Sequence, residues 1–288
     1  MTVLASVVVP AHNEEAVIGR CLERLADGVR PGDLDIVVVC NGCTDRTAQL
    51  ARAAGARVVE TPRPGKAGAL NLGDETTTGF PRFYVDADIE VRGSDLLRVA
   101  EVLREDRALA AAPRIRIATA GVSRAVRDYY RIWLKLPYAR DNHVGSGVVG
   151  VSEQGRARFD RFPEAIADDF FLYQRFAAGE RRTVDEAEFI VRPARTARDL
   201  VLRKIRVYAG NIQMRQLALA PAAATPVRAR RLPDWLAVVW AEPALVTAVP
   251  AYVAISGAAQ LLARRKVRRG QLGTWERDAS SRVTGTAA

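Results

Sequence analysis

At 288 residues, with 49% hydrophobic and 26% charged side chains, the chain can bury a full core without disulfide or metal staples, and one large α/β domain or a domain with an appendage is expected. The formal charge of +10 favours anionic contacts, either phosphorylated substrates or anionic lipid, while 7% aromatic residues and no base-stacking module count against nucleic acid. Three cysteines and a first stretch, MTVLASVVVP, without a basic region ahead of an apolar signal core point to a reduced, cytoplasmic setting.

From Ala5 to about Asp86, valine-rich runs alternate with helical stretches: SVVV, Glu14 to Leu25, DIVVV, Asp45 to Ala54, RVVE, Lys66 to Leu72 and FYVD. Valine runs without polar alternation are buried on both faces, so a mostly parallel, Rossmann-like sheet with helices on each side is expected. Ligands of such sheets gather at the carboxyl ends of the strands, here the loops PAHNE, CNGCTD and DAD. From Ile89 to Pro193 the pattern is a helix at Ser94 to Arg104, an extended ALAAAPRIRI, a helix at Ser123 to Leu136 and a Gly-rich strand GSGVVGVS, read as a mixed sheet continuing the first. A cationic helix, Thr196 to Leu219, follows; between Arg192 and Arg215 there are seven Lys or Arg against the single acid Asp199. The linker PAAATPVRARRLP then leads to an apolar segment, Trp235 to Leu262.

Within that segment Pro243 to Leu262 carries no charge, about the ~20 residues that span a bilayer core, and RRKVRR follows at once. Pro243, Pro250, Gly257 and Gln260 interrupt a clean spanning helix. Membrane attachment, interfacial or spanning, is expected, with the basic run drawn to anionic headgroups; a buried hairpin or docking helix is the alternative.

Asp86-Ala87-Asp88 follows an apolar strand, and alternation along an extended chain puts both carboxylates on one side with Ala87 opposite. Two hard oxygen ligands suit Mg²⁺ or Mn²⁺, which keep waters and complete their shell from substrate phosphates; a solvent-facing turn is the plain alternative. Cys40-x-x-Cys43 has the spacing of a redox dithiol, but no companion motif accompanies it, and Cys21, His12 and His143 add up to a poor zinc set. Thr44 and Asp45 suit caps of the next helix. Asp168-Asp169 precede the helical run FFLYQRFAAG, which ends at Gly179 in the manner of a C-cap, and the helix dipole there favours ionised carboxylates. Simple N-capping by two acids is the other reading.

Five segments in order, VPAHNEE, VVCNGCTDRT, GKAGALN, DAD and ADDFFL, resemble the family-2 inverting glycosyltransferases of the glycosyltransferase-A fold, over about Ala5 to Arg215. The resemblance implies a hexosyltransferase-type enzyme that moves a sugar from a nucleotide-diphosphate sugar, UDP being the expected carrier, to an acceptor hydroxyl with inversion. Pro10, Ala11, His12 and Glu14 would cradle the nucleoside. Asn41 would face the base, where family members often carry an aspartate, and Lys66 would border base and ribose. Asp86, Ala87 and Asp88 would hold diphosphate and metal, Mg²⁺ or Mn²⁺. Asp169 would be the general base and Asp168 its partner; the stretch from His143 to Gly150 would be the acceptor-side strand. Arg206 and Arg215 would close over the diphosphate, but Q-M-R-Q replaces Q-x-x-R-W, so processive polymerisation is not implied. The expected sections are 1–88 for the nucleotide sugar, 89–220 for acceptor and catalysis, and 221–288 as a helical, membrane-associated segment. Contact through 235–269 would bring the chain to the inner face of the cell membrane and a lipid-linked or membrane-proximal acceptor.

Two rivals stand beside this reading. A sugar-phosphate nucleotidyltransferase would show a Gly-rich basic loop after the first strand, but PAHNEEAVIG has no Lys or Arg before Arg20. A non-catalytic membrane scaffold that binds nucleotide sugars is opposed by the retention of Asp86, Asp88 and Asp169.

Overall fold

Apolar runs without alternation form strands only where both faces are covered, and the first such run, β1 (Ala5–Ala11), is buried along its whole length. The computed structural model describes residues 3–140, 147–164, 168–216 and 233–269, with only the backbone at 138 and 214–216. After β1 come α1 (Ile18–Ala26), β2 (Leu34–Asn41), α2 (Thr47–Ala53), β3 (Arg57–Thr61), α3 (Lys66–Thr76) and β4 (Arg82–Val85). The chain continues through β5 (Glu90–Val91), α4 (Gly93–Arg104), β6 (Ala110–Ile117), α5 (Arg124–Trp133), α6 (Pro137–Arg140), β7 (Val148–Val151), α7 (Glu153–Arg156), α8 (Asp168–Arg175) and β8 (Arg181–Val191). It ends, as described, with α9 (Ala197–Gln216), α10 (Asp234–Ala241), a 3-10 helix (Pro243–Ala248) and α11 (Val249–Arg268).

One eight-stranded sheet has the order β3-β2-β1-β4-β7-β6-β8-β5. β1 pairs in parallel with β2 and β4, and β2 with β3. The sense reverses at β4, which pairs antiparallel with β7, as β7 does with β6. The expected parallel half continued by a mixed half is therefore the fold of this chain, and β4 stands where direction changes, the position at which ligands enter open sheets. Val7, Val8, Val9, Val37, Val38 and Val39 are fully buried. α3 lies on β1 so closely that a Cβ at Gly73 would come within 2.2 Å of Val8 Cγ1. Its far end is clamped by Asp74, which takes Arg82 at 2.6 Å, Arg156 at 2.9 Å and the Tyr84 hydroxyl at 2.7 Å.

One local expectation needs correction. The helix over FFLYQRFAAG stops at Arg175, and Gly179 sits inside a 3-10 turn, Ala178–Glu180, because Glu180 turns back to accept the Ala177 N–H at 2.9 Å. The long strand β8 had no counterpart in the sequence reading.

The described residues divide into two compact units: 3–116 with 147–191, which carries the sheet, and 117–140 with 192–216 and 233–269, which is helical. In the second, Ala259 and Ala263 of α11 pack on Ile205 and Ala209 of α9, and Tyr252 stacks on Tyr129 of α5 at 5.3 Å between centroids. His143, Gly145, the linker before Pro233 and the Leu219 end of the cationic helix lie outside the described residues.

Candidate functional site

The loops that leave β1 and β2 are stitched to each other. Asn13, with φ of 52°, accepts the Thr44 N–H at 2.6 Å and donates to the Thr44 hydroxyl at 3.1 Å. The Glu14 N–H donates to Thr47 Oγ1 at 2.7 Å, and Asp45 accepts the Thr47 N–H at 3.0 Å, so Asp45 rather than Thr44 serves the start of α2. Pro10 and Ala11 are buried residues of β1, and the Ala11 carbonyl accepts from Asn41 at 2.8 Å and from the Cys43 thiol at 3.4 Å. They form the floor of the loop. His12 is half-buried and its Nδ1 donates to the Asn41 carbonyl at 2.5 Å; the Glu14 side chain is buried.

The expectation that the Asn41 amide faces a base is corrected here. That side chain is 2% exposed, donates to Ala11, and accepts the Gly65 N–H at 2.9 Å. A buried amide must satisfy its own donors and acceptor, and Asn41 does so by tying β1, β2 and the start of α3 together. Cys21, Cys40 and Cys43 are free thiols, and burial pushes the Cys40 thiol up to about 12.

The charged centre lies at the end of β4. The strand stops at Val85, and Asp86 to Ile89 make a turn closed by the Ile89 N–H on the Asp86 carbonyl at 3.1 Å. Turn geometry, not strand alternation, thus presents the carboxylates. Asp86 and Asp88 are half-buried while Ala87 is buried. The Cys21 thiol of α1 lies under the turn and donates to the Asp86 carbonyl at 3.9 Å; burial first, then Asp88 and Asp86, push that thiol well up. Lys66, the first residue of α3, places its ammonium 2.6 Å from Asp86 Oδ1 and 2.8 Å from Asp168 Oδ2. Lys66 therefore bridges the acids of two elements. Burial would lower its pKa, but Asp168, Asp86 and Asp169 outweigh burial and hold it well above the ordinary lysine range.

Asp168 and Asp169 open α8. Burial, then the charge of Asp168, pushes Asp169 up to about 7 despite Lys66, so the desolvation of the carboxylate outweighs the helix dipole expected to keep it ionised. Burial likewise raises Asp86, opposed by Lys66 and reinforced by Asp168 and Asp88. Gly147 joins the two acid elements: its carbonyl accepts the Asp86 N–H at 2.8 Å and its N–H donates to Asp169. Its φ is 98°, and a Cβ there would stand 2.7 Å from Ile89 Cγ1 and 3.4 Å from Asp86 Oδ2. The glycine pattern of that strand was visible in the sequence, but the specific tie was not, nor was the Cys21 contact. Arg206 and Arg215 belong to α9 in the second unit, and the side chain of Arg215 lies outside the described residues.

The pattern described as Glycosyl transferase family 2 matches residues 6–163, more than half of the chain. The chain belongs to this family. Among curated relatives, the glucosyl-3-phosphoglycerate synthase of Mycolicibacterium smegmatis is 36% identical over 92 residues, covering 29% of this chain and 30% of that protein. An uncharacterized glycosyltransferase of Mycobacterium tuberculosis is 35% identical over 98 residues, covering 34% of this chain and 43% of that protein. The chain thus spans less than half the length of either relative. Among solved structures, the mannosyltransferase PcManGT from Pyrobaculum calidifontis, in complex with GDP-Man and Mn²⁺, superposes with a TM-score of 0.61 at 22% identity, over 93% of this chain and 79% of that one. That likeness is one of fold.

The donor set of this family-2 site fits a hard divalent cation. Asp86 and Asp168 pair with one ammonium beside Asp169, Asp88 lies on the Asp86 turn, and burial first, then neighbouring carboxylates, raise Asp86 and Asp169. Among the described residues no three His, Cys, Asp or Glu side chains group into a self-sufficient metal site. Two carboxylates with water and phosphate oxygens are the arrangement Mg²⁺ and Mn²⁺ ordinarily take.

Proposed function

We propose that the chain is an inverting glycosyltransferase that moves a sugar from a nucleotide-diphosphate sugar, with UDP as the carrier, to a hydroxyl of a membrane-proximal acceptor. The observation that carries the reading is the meeting of Lys66, Asp86 and Asp168 at the end of β4, beside Asp169, in a family-2 chain. A glucosyl donor is favoured by the glucosyl-3-phosphoglycerate synthases among its relatives, at 36–38% identity over 92 residues. Residues 1–88 hold the donor, 89–220 the acceptor and the base, and 221–288 associate with the inner face of the cell membrane.

Asp86 and Asp88 would hold Mg²⁺ or Mn²⁺, which would supply Lewis-acid neutralisation of the diphosphate. Lys66 adds a positive charge beside Asp86, where the leaving group develops its own negative charge. Asp169 takes the proton of the acceptor hydroxyl, the oxygen attacks the anomeric carbon, and the bond from that carbon to the diphosphate breaks, reversing the configuration. A base with a pKa near 7 suits this step, because about half of it is ionised at neutral pH and it is far more basic than an ordinary carboxylate. Gly147 holds the base and the Asp86 turn in register through the N–H and carbonyl of one residue.

Incubation with UDP-glucose, GDP-mannose and other donors, with and without Mn²⁺ or Mg²⁺, tests the reading. Metal-dependent release of the nucleoside diphosphate, with a product of inverted anomeric configuration, is expected. Formation of a nucleotide sugar from a sugar phosphate and nucleoside triphosphate would replace it with the nucleotidyltransferase reading.

A further inference from the structure

We infer that the second unit docks on an anionic bilayer by lying in the headgroup layer, not by crossing it. This rests on the membrane-proximal reading above and adds the mode of contact. Among the described residues nine large hydrophobic side chains are exposed, and eight of them, from Leu202 to Leu262, fall in the second unit, Val3 being the other. Trp240 at the end of α10 is 90% exposed, Val246 60% and Leu261 52%. Tryptophan and leucine placed this way are costly in water and favourable at the boundary between headgroups and acyl chains.

The exposed side chains are not confined to one helix. Leu202 of α9 and Leu262 of α11 line one open groove of about 410 Å³, with Val201, Ala254 and Ile255 as further apolar walls and Arg198 as its charged member. A trough of that chemistry accepts an acyl chain while offering a guanidinium to a phosphate. The end of α11 supplies Arg264, Arg265, Lys266, Arg268 and then Arg269, with no Asp or Glu between Glu242 and Arg269. Apolar side chains beside a run of cations match an anionic lipid surface, because the cations add attraction to the headgroups.

The run Pro243–Arg268 is long and apolar enough to cross a membrane, but its packing opposes that mode. Tyr252, Ile255, Ser256, Ala259 and Ala263 are buried, and Ala259 and Ala263 lie against α9, which carries Arg198, Asp199, Arg203, Lys204 and Arg206. Ahead of α11, Arg131 donates to the Ala244 carbonyl at 3.0 Å and Lys135 pairs with Glu242 at 2.7 Å. A spanning α11 would have to shed these partners or drag a charged helix into hydrocarbon, and charges at the bilayer centre are strongly disfavoured. One face of α11 is committed to protein; the other is offered to lipid.

The full chain is tested by flotation with vesicles of equal parts phosphatidylglycerol and phosphatidylcholine, against pure phosphatidylcholine. Binding to the anionic vesicles that is released by high salt or alkaline carbonate is the expected result. Trp240→Ala should weaken it by about tenfold, and Arg264→Gln and Arg265→Gln by about fivefold each. Thermal melting of these variants should be unchanged, since the replaced side chains are exposed. Carbonate-resistant binding would overturn the interfacial mode while leaving a membrane-proximal acceptor in place. Binding indifferent to lipid charge and to Trp240 would overturn the assigned surface. A chain that binds no vesicle and forms a dimer disrupted by Trp240→Ala would give the surface to a second copy. A chain that floats with no vesicle, yet transfers sugar to a soluble acceptor, would overturn the membrane reading as a whole.

Discussion

In the first unit six valines of β1 and β2 are wholly removed from solvent, and Asp86, Lys66 and Asp168 meet in one ion-paired centre, whereas the second unit leaves Trp240, Val246 and Leu261 in water and strings its cations along α9 and α11. The contrast separates two uses of the same residue types. Where apolar side chains are hidden on both faces of a sheet, they support a pocket for charge; where they are displayed beside cations, they form an adhesive surface. Chemistry and attachment should accordingly fail independently.

The largest expected effect comes from Asp88→Asn, which should lower transfer on the order of a thousandfold, the several kcal/mol a metal supplies to a developing charge. Metal-dependent nucleotide binding, measured by calorimetry, should fall with it while vesicle binding stays. Full activity in that variant would remove the metal from the proposal. Asp169→Asn should cost about a hundredfold to ten-thousandfold in turnover, the range for a lost general base, with nucleotide affinity preserved. A matching loss of affinity would reassign Asp169 to donor binding.

A pH profile sharpens the same point. With its pKa raised to about 7, Asp169 is protonated below that value and competent above it. Single-turnover transfer should therefore rise with pH through about 7 and fall about tenfold per unit on the acid side. A rate flat from acid to neutral pH would point to a base of ordinary acidity.

Smaller effects distinguish the two interiors. Gly73→Ala would drive a methyl into Val8 and should destabilise the sheet unit by about 1–3 kcal/mol, read as a lower melting temperature and weaker nucleotide binding. Ala259→Leu, at a fully buried contact between α9 and α11, should cost a similar or smaller amount and weaken vesicle binding while sparing nucleotide affinity. Equal effects of both on nucleotide binding would argue against separable roles.

The strands β1 to β4 and the loops after them were legible because a buried parallel strand needs an unbroken apolar run, and such runs stand out beside helices with polar faces. The strand β8 was harder to see. Its buried Val184, Ala187, Phe189 and Val191 alternate only in the second half, and arginines and acids interrupt the rest. Asp86 and Asp88 were recognisable as a pair, yet the turn that presents them depends on the Ile89 N–H and on Gly147, just ahead of β7. The family resemblance implied a base contact for Asn41, but its amide is buried on Ala11 and Gly65.

By itself the sequence determined the order of strands and helices in the parallel half, the acidic residues at its mouth, and the basic, apolar character of the tail, since all of these are set by local pattern and composition. Only the tertiary structure decided that Lys66 bridges Asp86 and Asp168, that Asp169 is held near 7, and that α11 keeps one face on α9. Those outcomes depend on desolvation and on contacts between residues far apart in the chain, which no short window of residues carries.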